Sequence, residues 1–339
     1  MMKKCIVVLG MHRSGTSALM GVLKTLSIEM GSVGSGFVGP FSDNIKGFFE
    51  LVDIVNLDER ILGSLGSSWD SLHVLPENWW KKNELYGYKK EISDVIERNF
   101  HETSIIGIKD PRLCRLLPLW AEMFKELGIE TYYIIPLRNP LEVALSLETR
   151  NGFCREKSLL LWMLYMLEAE LYSRKYRRVF ISYDGLLNET ENTIKSLSKV
   201  LKIDFPKTYQ DARMEISEFL DAGLKHHNQE TFPDDKVLPK EIFSLYSLLL
   251  RFRERDEISE DELSEIDVAR NWFFSLHRFF YNKDVSYNMS AISNFESVLA
   301  EKNMAIAKKE LTIAKYESRI IYIPLLKKLE QNIRKKIKK

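Results

Sequence analysis

The chain has 339 residues, 45% of them hydrophobic, which is enough for a substantial core and more than one small domain needs. Its 49 Lys and Arg nearly balance 48 Asp and Glu, so the molecule as a whole sets up no field that would draw it to nucleic acid. The three cysteines, Cys5, Cys114 and Cys154, are widely spaced in apolar surroundings, which excludes a disulfide framework or a zinc cluster and fits a reducing compartment.

Cys5 to Leu9 is a short β-branched run ending at Gly10, and Thr16 to Ile28 then carries apolar residues at helical spacing: a strand, a turn and a helix. Polar His12, Arg13 and Ser14 follow the strand too soon for a signal peptide, and no window reaches the ~20 apolar residues of a membrane span, so a cytoplasmic protein is expected. Gly31 to Gly47 reads as an irregular active-site loop, and Phe48 to Leu65 as a helix. Three more apolar runs, Ser104 to Ile108, Thr131 to Leu137 and Arg178 to Ser182, read as buried strands. Helical patterns lie between them at Leu116 to Leu127, Leu141 to Thr149 and Glu156 to Tyr176. This alternation predicts an α/β fold, a P-loop-like parallel sheet flanked by helices, with ligands at the carboxyl ends of the strands.

After Pro233 the strand signals stop. Helices are expected over Lys240 to Arg255, Glu260 to Tyr281 and Ala291 to Tyr322, which divides the chain into an α/β domain (1–233), a C-terminal helical region (234–324) and a basic tail (325–339). Ile292, Leu299, Ile306, Ile313 and Ile320 recur every seven residues with mixed partner positions, half a coiled-coil seam that suits a homodimer or a helix lying on its own domain. The tail holds seven basic residues and one acidic one, a pattern open both to contact with an anionic inner-membrane face and to a solvated terminus.

The strongest signal is Gly10-Met11-His12-Arg13-Ser14-Gly15-Thr16-Ser17 between strand and helix, the layout of a phosphate cradle: glycines let the backbone wrap an anion, and the helix aims its free N–H groups at it. Thr16 stands where the nucleoside-triphosphatase form has its lysine, and the cation is Arg13 instead. The second strand ends in Lys109-Asp110-Pro111-Arg112, and the third in Arg138-Asn139-Pro140 with Ser146 on the next helix, a guanidinium and a hydroxyl suited to a second phosphate. No aspartate ends the third strand to hold magnesium as a Walker B strand would, so no metal is expected.

These motifs, GMHRSGTSAL at Gly10–Leu19, IKDPRLCRLLPLW at Ile108–Trp120, PLRNPLEVALSL at Pro136–Leu147 and ISYDGLLNETENTIKSL at Ile181–Leu197, resemble in kind and order the PAPS-dependent sulfotransferases, especially the bacterial type, over about residues 1 to 230. The resemblance implies transfer of a sulfuryl group from PAPS (3′-phosphoadenylyl sulfate) to a hydroxyl or amine, with 3′,5′-ADP as product. It assigns the 5′-phosphosulfate to His12, Arg13, Ser14, Gly15, Thr16 and Ser17, the 3′-phosphate to Arg138 and Ser146, and the neighbourhood of the adenine to Tyr183. The late Arg-Lys-Gly motif of the animal cytosolic members is absent, and Lys225-His226-His227 is the only candidate substitute. For the general base those members use a histidine near the second strand, which this chain lacks. Glu50, next to Phe48 and Phe49 that would desolvate it, resembles the glutamate of some bacterial and carbohydrate-acting members and is the first candidate, followed by Asp110 and Asp53. Lys109 is expected to assist the leaving group or to pair with Asp110. Trp69, Trp79 and Trp80 are candidates for stacking on a sugar or for the core, so the expected acceptor is a carbohydrate or lipid-linked glycan. The alternative is a P-loop kinase or nucleotide-binding protein, which the missing lysine disfavours.

Overall fold

In a computed structural model the described residues are 3–31, 36–39, 47–100, 104–220 and 239–280. Four strands, β1 (Lys4–Val8), β2 (Ile105–Lys109), β3 (Glu130–Leu137) and β4 (Arg177–Ser182), form one parallel sheet in the order β2-β1-β3-β4. The helices are α1 (Thr16–Thr25), α2 (Val52–Ser64), α3 (Tyr86–Asn99), α4 (Leu113–Glu126), α5 (Pro140–Asn151), α6 (Arg155–Ser173), α7 (Tyr183–Asn188), α8 (Thr190–Leu201), α9 (Tyr209–Phe219), α10 (Lys240–Arg251) and α11 (Glu260–Phe280). The architecture is the expected α/β one, and each strand falls within a residue of its apolar run.

β1 lies between β2 and β3, with Val8 opposite both Lys109 and Ile134. The chain therefore passes from β1 to β2 on one side and crosses back to β3 on the other, so the segments following all three strands emerge side by side. Alternation along the strands sorts two cores. Val7, Tyr133 and Ile135 face one with Trp120 and Trp162, while Ile6, Val8, Tyr132 and Ile134 face the other with Leu19 and Val179. Cys5 and Cys114 are buried, which pushes both thiols up in pKa and leaves them inert.

Phe48 to Leu51 is not helical. Phe49 takes a positive φ of 56° and Leu51 bridges to Phe37, so α2 begins only at Val52. Helices α3, α7, α8 and α9 add to the elements the sequence pattern marked. The compact unit spans Met1–Asn282, so α10 and α11 share it with the sheet. Glu170 of α6 ties them in: it accepts from Arg174, Arg178 and Arg270, and Arg174 also pairs with Asp267 of α11 at 2.7 Å. Among the described residues no helix is long and apolar enough to cross a membrane. The heptad segment, the basic tail, Lys225-His226-His227 and His101 lie outside the described residues.

Gly15 at the start of α1 and Gly21 inside it do different work. At Gly15, where φ is +85°, a Cβ would stand 2.2 Å from the Tyr183 ring. At Gly21 it would stand 1.9 Å from the ring of Phe219 on α9. Gly21→Ala is therefore expected to cost about 1–3 kcal/mol in urea unfolding, through overpacking. Most of that loss should return when Phe219→Ala is added. A Gly21→Ala protein as stable as wild type would mean that α9 does not pack there.

Candidate active site

The loop from Leu9 to Gly15 joins β1 to α1 at the carboxyl edge of the sheet. Gly10 N–H donates to Cys114 Sγ at 3.0 Å, pinning the loop to α4, and Ser14 N–H closes a turn on Met11 O at 3.1 Å. Arg13 takes φ 70°, in the left-handed region that side-chain-bearing residues enter uncommonly. Its Nε donates to Ser146 Oγ at 2.7 Å, and its carbonyl accepts from Arg138 at 2.9 Å. Arg138 is further held by Glu142 at 2.9 Å and lies over the Tyr183 ring, 4.8 Å from its centroid. Arg13, Arg138, Ser146 and Tyr183 are thus one cluster. Tyr183 is buried against Gly15 and beneath Arg138, which makes it a support for both.

Lys109 ends β2 beside this cluster. Its ammonium pairs with Glu50 at 2.5 Å and also donates to Phe48 O at 3.1 Å and Ser17 Oγ at 3.3 Å. Lys109 and Glu50 are 3% and 5% exposed, so this pair forms in a low-dielectric setting. Glu50 reaches the loop as expected, but as the counter-ion of a lysine and not as a carboxylate isolated among aromatics. Lys109 selects Glu50 over Asp110. Asp110 is fully buried and turns to Arg112, accepting from its backbone N–H at 2.9 Å and its guanidinium at 2.8 Å, while Arg112 Nε donates to Glu59 at 2.6 Å. That geometry makes Asp110 a positioning residue for Arg112. Asp53 pairs with Arg98 of α3 at 3.2 Å.

A second wall comes from residues that the sequence motifs did not single out together. Arg115 of α4 is fully buried, pairs with Glu168 at 3.1 Å, and donates to Ser67 Oγ and to the carbonyls of Ser68, Ser71 and His73. Tyr165 O–H donates to Trp69 O at 2.6 Å. Together they clamp the irregular segment 67–73 so that the half-buried Trp69 ring meets His12 edge-on, with centroids 4.6 Å apart. Phe153 stacks on Trp69 at 5.6 Å and 28°, and Arg150 lies over the same ring. Trp79 is fully buried and Trp80 packs edge-on against it, so these two serve the core. The His73 ring packs near that of His277, with centroids 5.7 Å apart. Among the described residues no group of His, Cys, Asp or Glu is placed to hold a metal ion.

Electrostatics follow from this packing. Burial, reinforced by Arg112, Arg150, Lys109 and Arg13, holds His12 well below the usual histidine range. Its Nε2 and the hydroxyl of fully buried Ser14 have no hydrogen-bond partner. The unpartnered Ser14 hydroxyl, in a loop ringed by Arg13, Lys109 and Arg138 and with a glycine that tolerates no Cβ, fits a multiply anionic ligand of the phosphate or sulfate class. Every loop residue singled out from the sequence, with Glu50, Lys109, Arg138, Ser146 and Tyr183, stands at this one sheet edge.

No family model matches the chain, and no curated protein matches it. Among solved structures, the sulfotransferase domain from the curacin biosynthetic pathway is similar at 14% identity, over 80% of this chain and 97% of that one, with a TM-score of 0.37. A likeness that distant assigns no role to any residue.

Asp58 of α2 adds a buried titrating group behind the site. Its Oδ1 accepts from Trp120 Nε1 at 2.8 Å, and Oδ2 has no partner. Burial, with Asp110 nearby, raises its pKa well above the usual carboxylate range. From about pH 4, where an unfolded aspartate ionises, up to that raised value, the native state holds a proton that the unfolded state has released, so this group lowers stability as pH rises. Asp58→Asn should remove that contribution. The difference in urea midpoint between variant and wild type should favour the variant more at pH 8 than at pH 4.5, and a difference independent of pH would show that Asp58 is ionised in the fold.

Proposed function

We propose that the protein is a sulfotransferase that moves a sulfuryl group from 3′-phosphoadenylyl sulfate to a hydroxyl on a ring-bearing acceptor of the carbohydrate class. The observation that carries this reading is the composition of the phosphate loop. It has the strand-loop-helix build of a nucleotide cradle, yet Thr16 stands in the lysine position, and the cations come instead from Arg13 within the loop and Lys109 and Arg138 at the neighbouring strand ends. A P-loop kinase needs its loop lysine on the β- and γ-phosphates. It also needs a carboxylate for magnesium, whereas Asp110, which ends the strand next to β1, is committed to Arg112.

When bound, the donor supplies the sulfuryl group and a phosphate leaving group, and the residues divide the work by position. The α1 amides with Ser14, Thr16 and Ser17 receive the 5′-phosphosulfate. Arg13, oriented by Ser146, and Lys109, oriented by Glu50, face the charge that builds on the departing phosphate, where fixed cations in a dry site act without reorganisation. Arg138, set by Glu142 and Tyr183, suits the 3′-phosphate. The Trp69–Phe153 stack beside His12 offers the acceptor an aromatic face. The enzyme is proposed to act in the cytoplasm. A homodimer through the heptad segment and contact of the basic tail with the membrane are further proposals, resting on the sequence alone.

Calorimetric titration separates the two readings. Wild type should bind 3′,5′-ADP and not ATP with magnesium, and Arg138→Ala should weaken 3′,5′-ADP by roughly 10–100-fold, the value of a charge-assisted pair. If ATP binds and 3′,5′-ADP does not, the loop belongs to an unusual kinase and sulfuryl transfer is wrong.

A further inference from the structure

The phosphate loop leaves two polar atoms unpartnered, and they differ in kind. Ser14 Oγ suits an anion, as a hydroxyl readily donates. His12 Nε2 belongs to a residue only 9% exposed and makes no hydrogen bond. The charged groups facing the imidazole are Arg13 from its own loop, Lys109 from β2, Arg112 from the start of α4 and Arg150 from the end of α5. None of these accepts a hydrogen bond. The rings of Trp69 and Tyr165 approach it at 4.6 and 6.3 Å, both edge-on.

The nearby carboxylates that face cations are held by them: Glu50 by Lys109, Glu59 and one oxygen of Asp110 by Arg112, Glu142 by Arg138, and Asp70 by Lys157, while the second oxygen of Asp110 and Oδ2 of Asp58 are buried without a partner. A base must have a lone pair to spare within reach of the acceptor. The imidazole has one, and it sits between the loop that would hold the donor and the Trp69 wall that would meet the acceptor.

Resting on the sulfuryl-transfer reading, we propose that His12 is the general base, its Nε2 taking the proton from the acceptor hydroxyl. As Nε2 gains the proton, the acceptor oxygen forms its bond to sulfur. The bond from sulfur to the 5′-phosphate oxygen breaks, and its electron pair leaves on the phosphate, facing Lys109 and Arg13. Trp69, packed on the imidazole, keeps bulk water from it until an acceptor takes that place.

The surrounding cations give the arrangement an order. In the free protein burial, with these cations, holds the imidazole well below the usual histidine range. Negative charge brought among the same cations offsets them, so His12 becomes a stronger base once the donor site is filled.

The test uses the full chain labelled with 15N-histidine, with 3′,5′-ADP as the probe. At pH 7 in the complex, Nε2 should be the unprotonated ring nitrogen, and the imidazole should titrate at a higher pH with 3′,5′-ADP bound than without. An Nε2 that carries hydrogen in the complex would make His12 a donor to the ligand and overturn the assignment. Hydrolysis of 3′-phosphoadenylyl sulfate, with water in the acceptor's place, gives a second readout. His12→Asn should slow it about 10²–10⁴-fold and abolish the acid limb of the pH profile while 3′,5′-ADP affinity stays within about threefold of wild type. That retained affinity also shows that the variant folds. The acid limb should persist in Glu50→Gln; a limb lost there and kept in His12→Asn makes Glu50 the base. A wild type that fails to bind 3′,5′-ADP removes the sulfuryl-transfer reading itself, whereas one that binds it with a protonated Nε2 removes only the base.

Discussion

Gathering Arg13, Lys109, Arg112 and Arg138 around one strand-to-helix loop costs mutual repulsion in a region of low dielectric, and the site exists because the fold offsets it. Lys109 has Glu50, Arg112 has Asp110 and Glu59, and Arg138 has Glu142. These acids come from different places: Glu50 from the extended stretch before α2, Glu59 from α2 itself, Asp110 from the end of β2 and Glu142 from the first turn of α5. Each pair therefore fastens a separate segment to the carboxyl edge of the sheet, so the charge balance of the site is also its scaffold. Removing one acid would leave a buried cation uncompensated and release the segment that carried it.

The parallel order β2-β1-β3-β4 is what lets those segments meet. With β1 between β2 and β3, the phosphate loop, Lys109 and Arg138 arrive at neighbouring strand ends although roughly 100 residues separate the first from the second in the chain. The same alternation of side chains that buries Val7 and Tyr133 on one face and Val8 and Ile134 on the other leaves the strand ends as the place where polar groups can gather.

How much of this the sequence disclosed follows the range of the interaction involved. The strands were legible because each is an unbroken β-branched or aromatic run bounded by charge or glycine. The loop was legible because its glycines, hydroxyls and arginine lie within eight consecutive residues. Partner choice was not. Lys109 sits beside Asp110 in the chain yet pairs with Glu50, because successive side chains of a strand point to opposite faces and the next one turns toward Arg112. Tyr183 stands at the site as the resemblance implied, but Gly15 and Arg138 occupy its ring. The Arg115 clamp could not have been read at all, since it joins α4 to four positions of an irregular segment more than forty residues earlier. The three tryptophans near it had equal standing on paper. Only burial separates Trp79, sealed in the core, from Trp69, held against the loop.

That difference between tryptophans and the behaviour of the titrating groups have one origin. Cations around the loop draw Glu50, Glu59, Asp110 and Glu142 into ion pairs, which fixes the geometry of each. Burial and the same cations oppose the charging of an imidazole, so His12 is left neutral with Nε2 unpartnered, and Trp69 lies on its flank. A single electrostatic arrangement thus sorts the acids into positioning roles and keeps the histidine in the form able to receive a proton. The sorting needs no special sequence signal at residue 12. It arises from what the fold brings to that point, which is why a histidine inside a phosphate motif reads, in the sequence alone, as one more ligand to the anion.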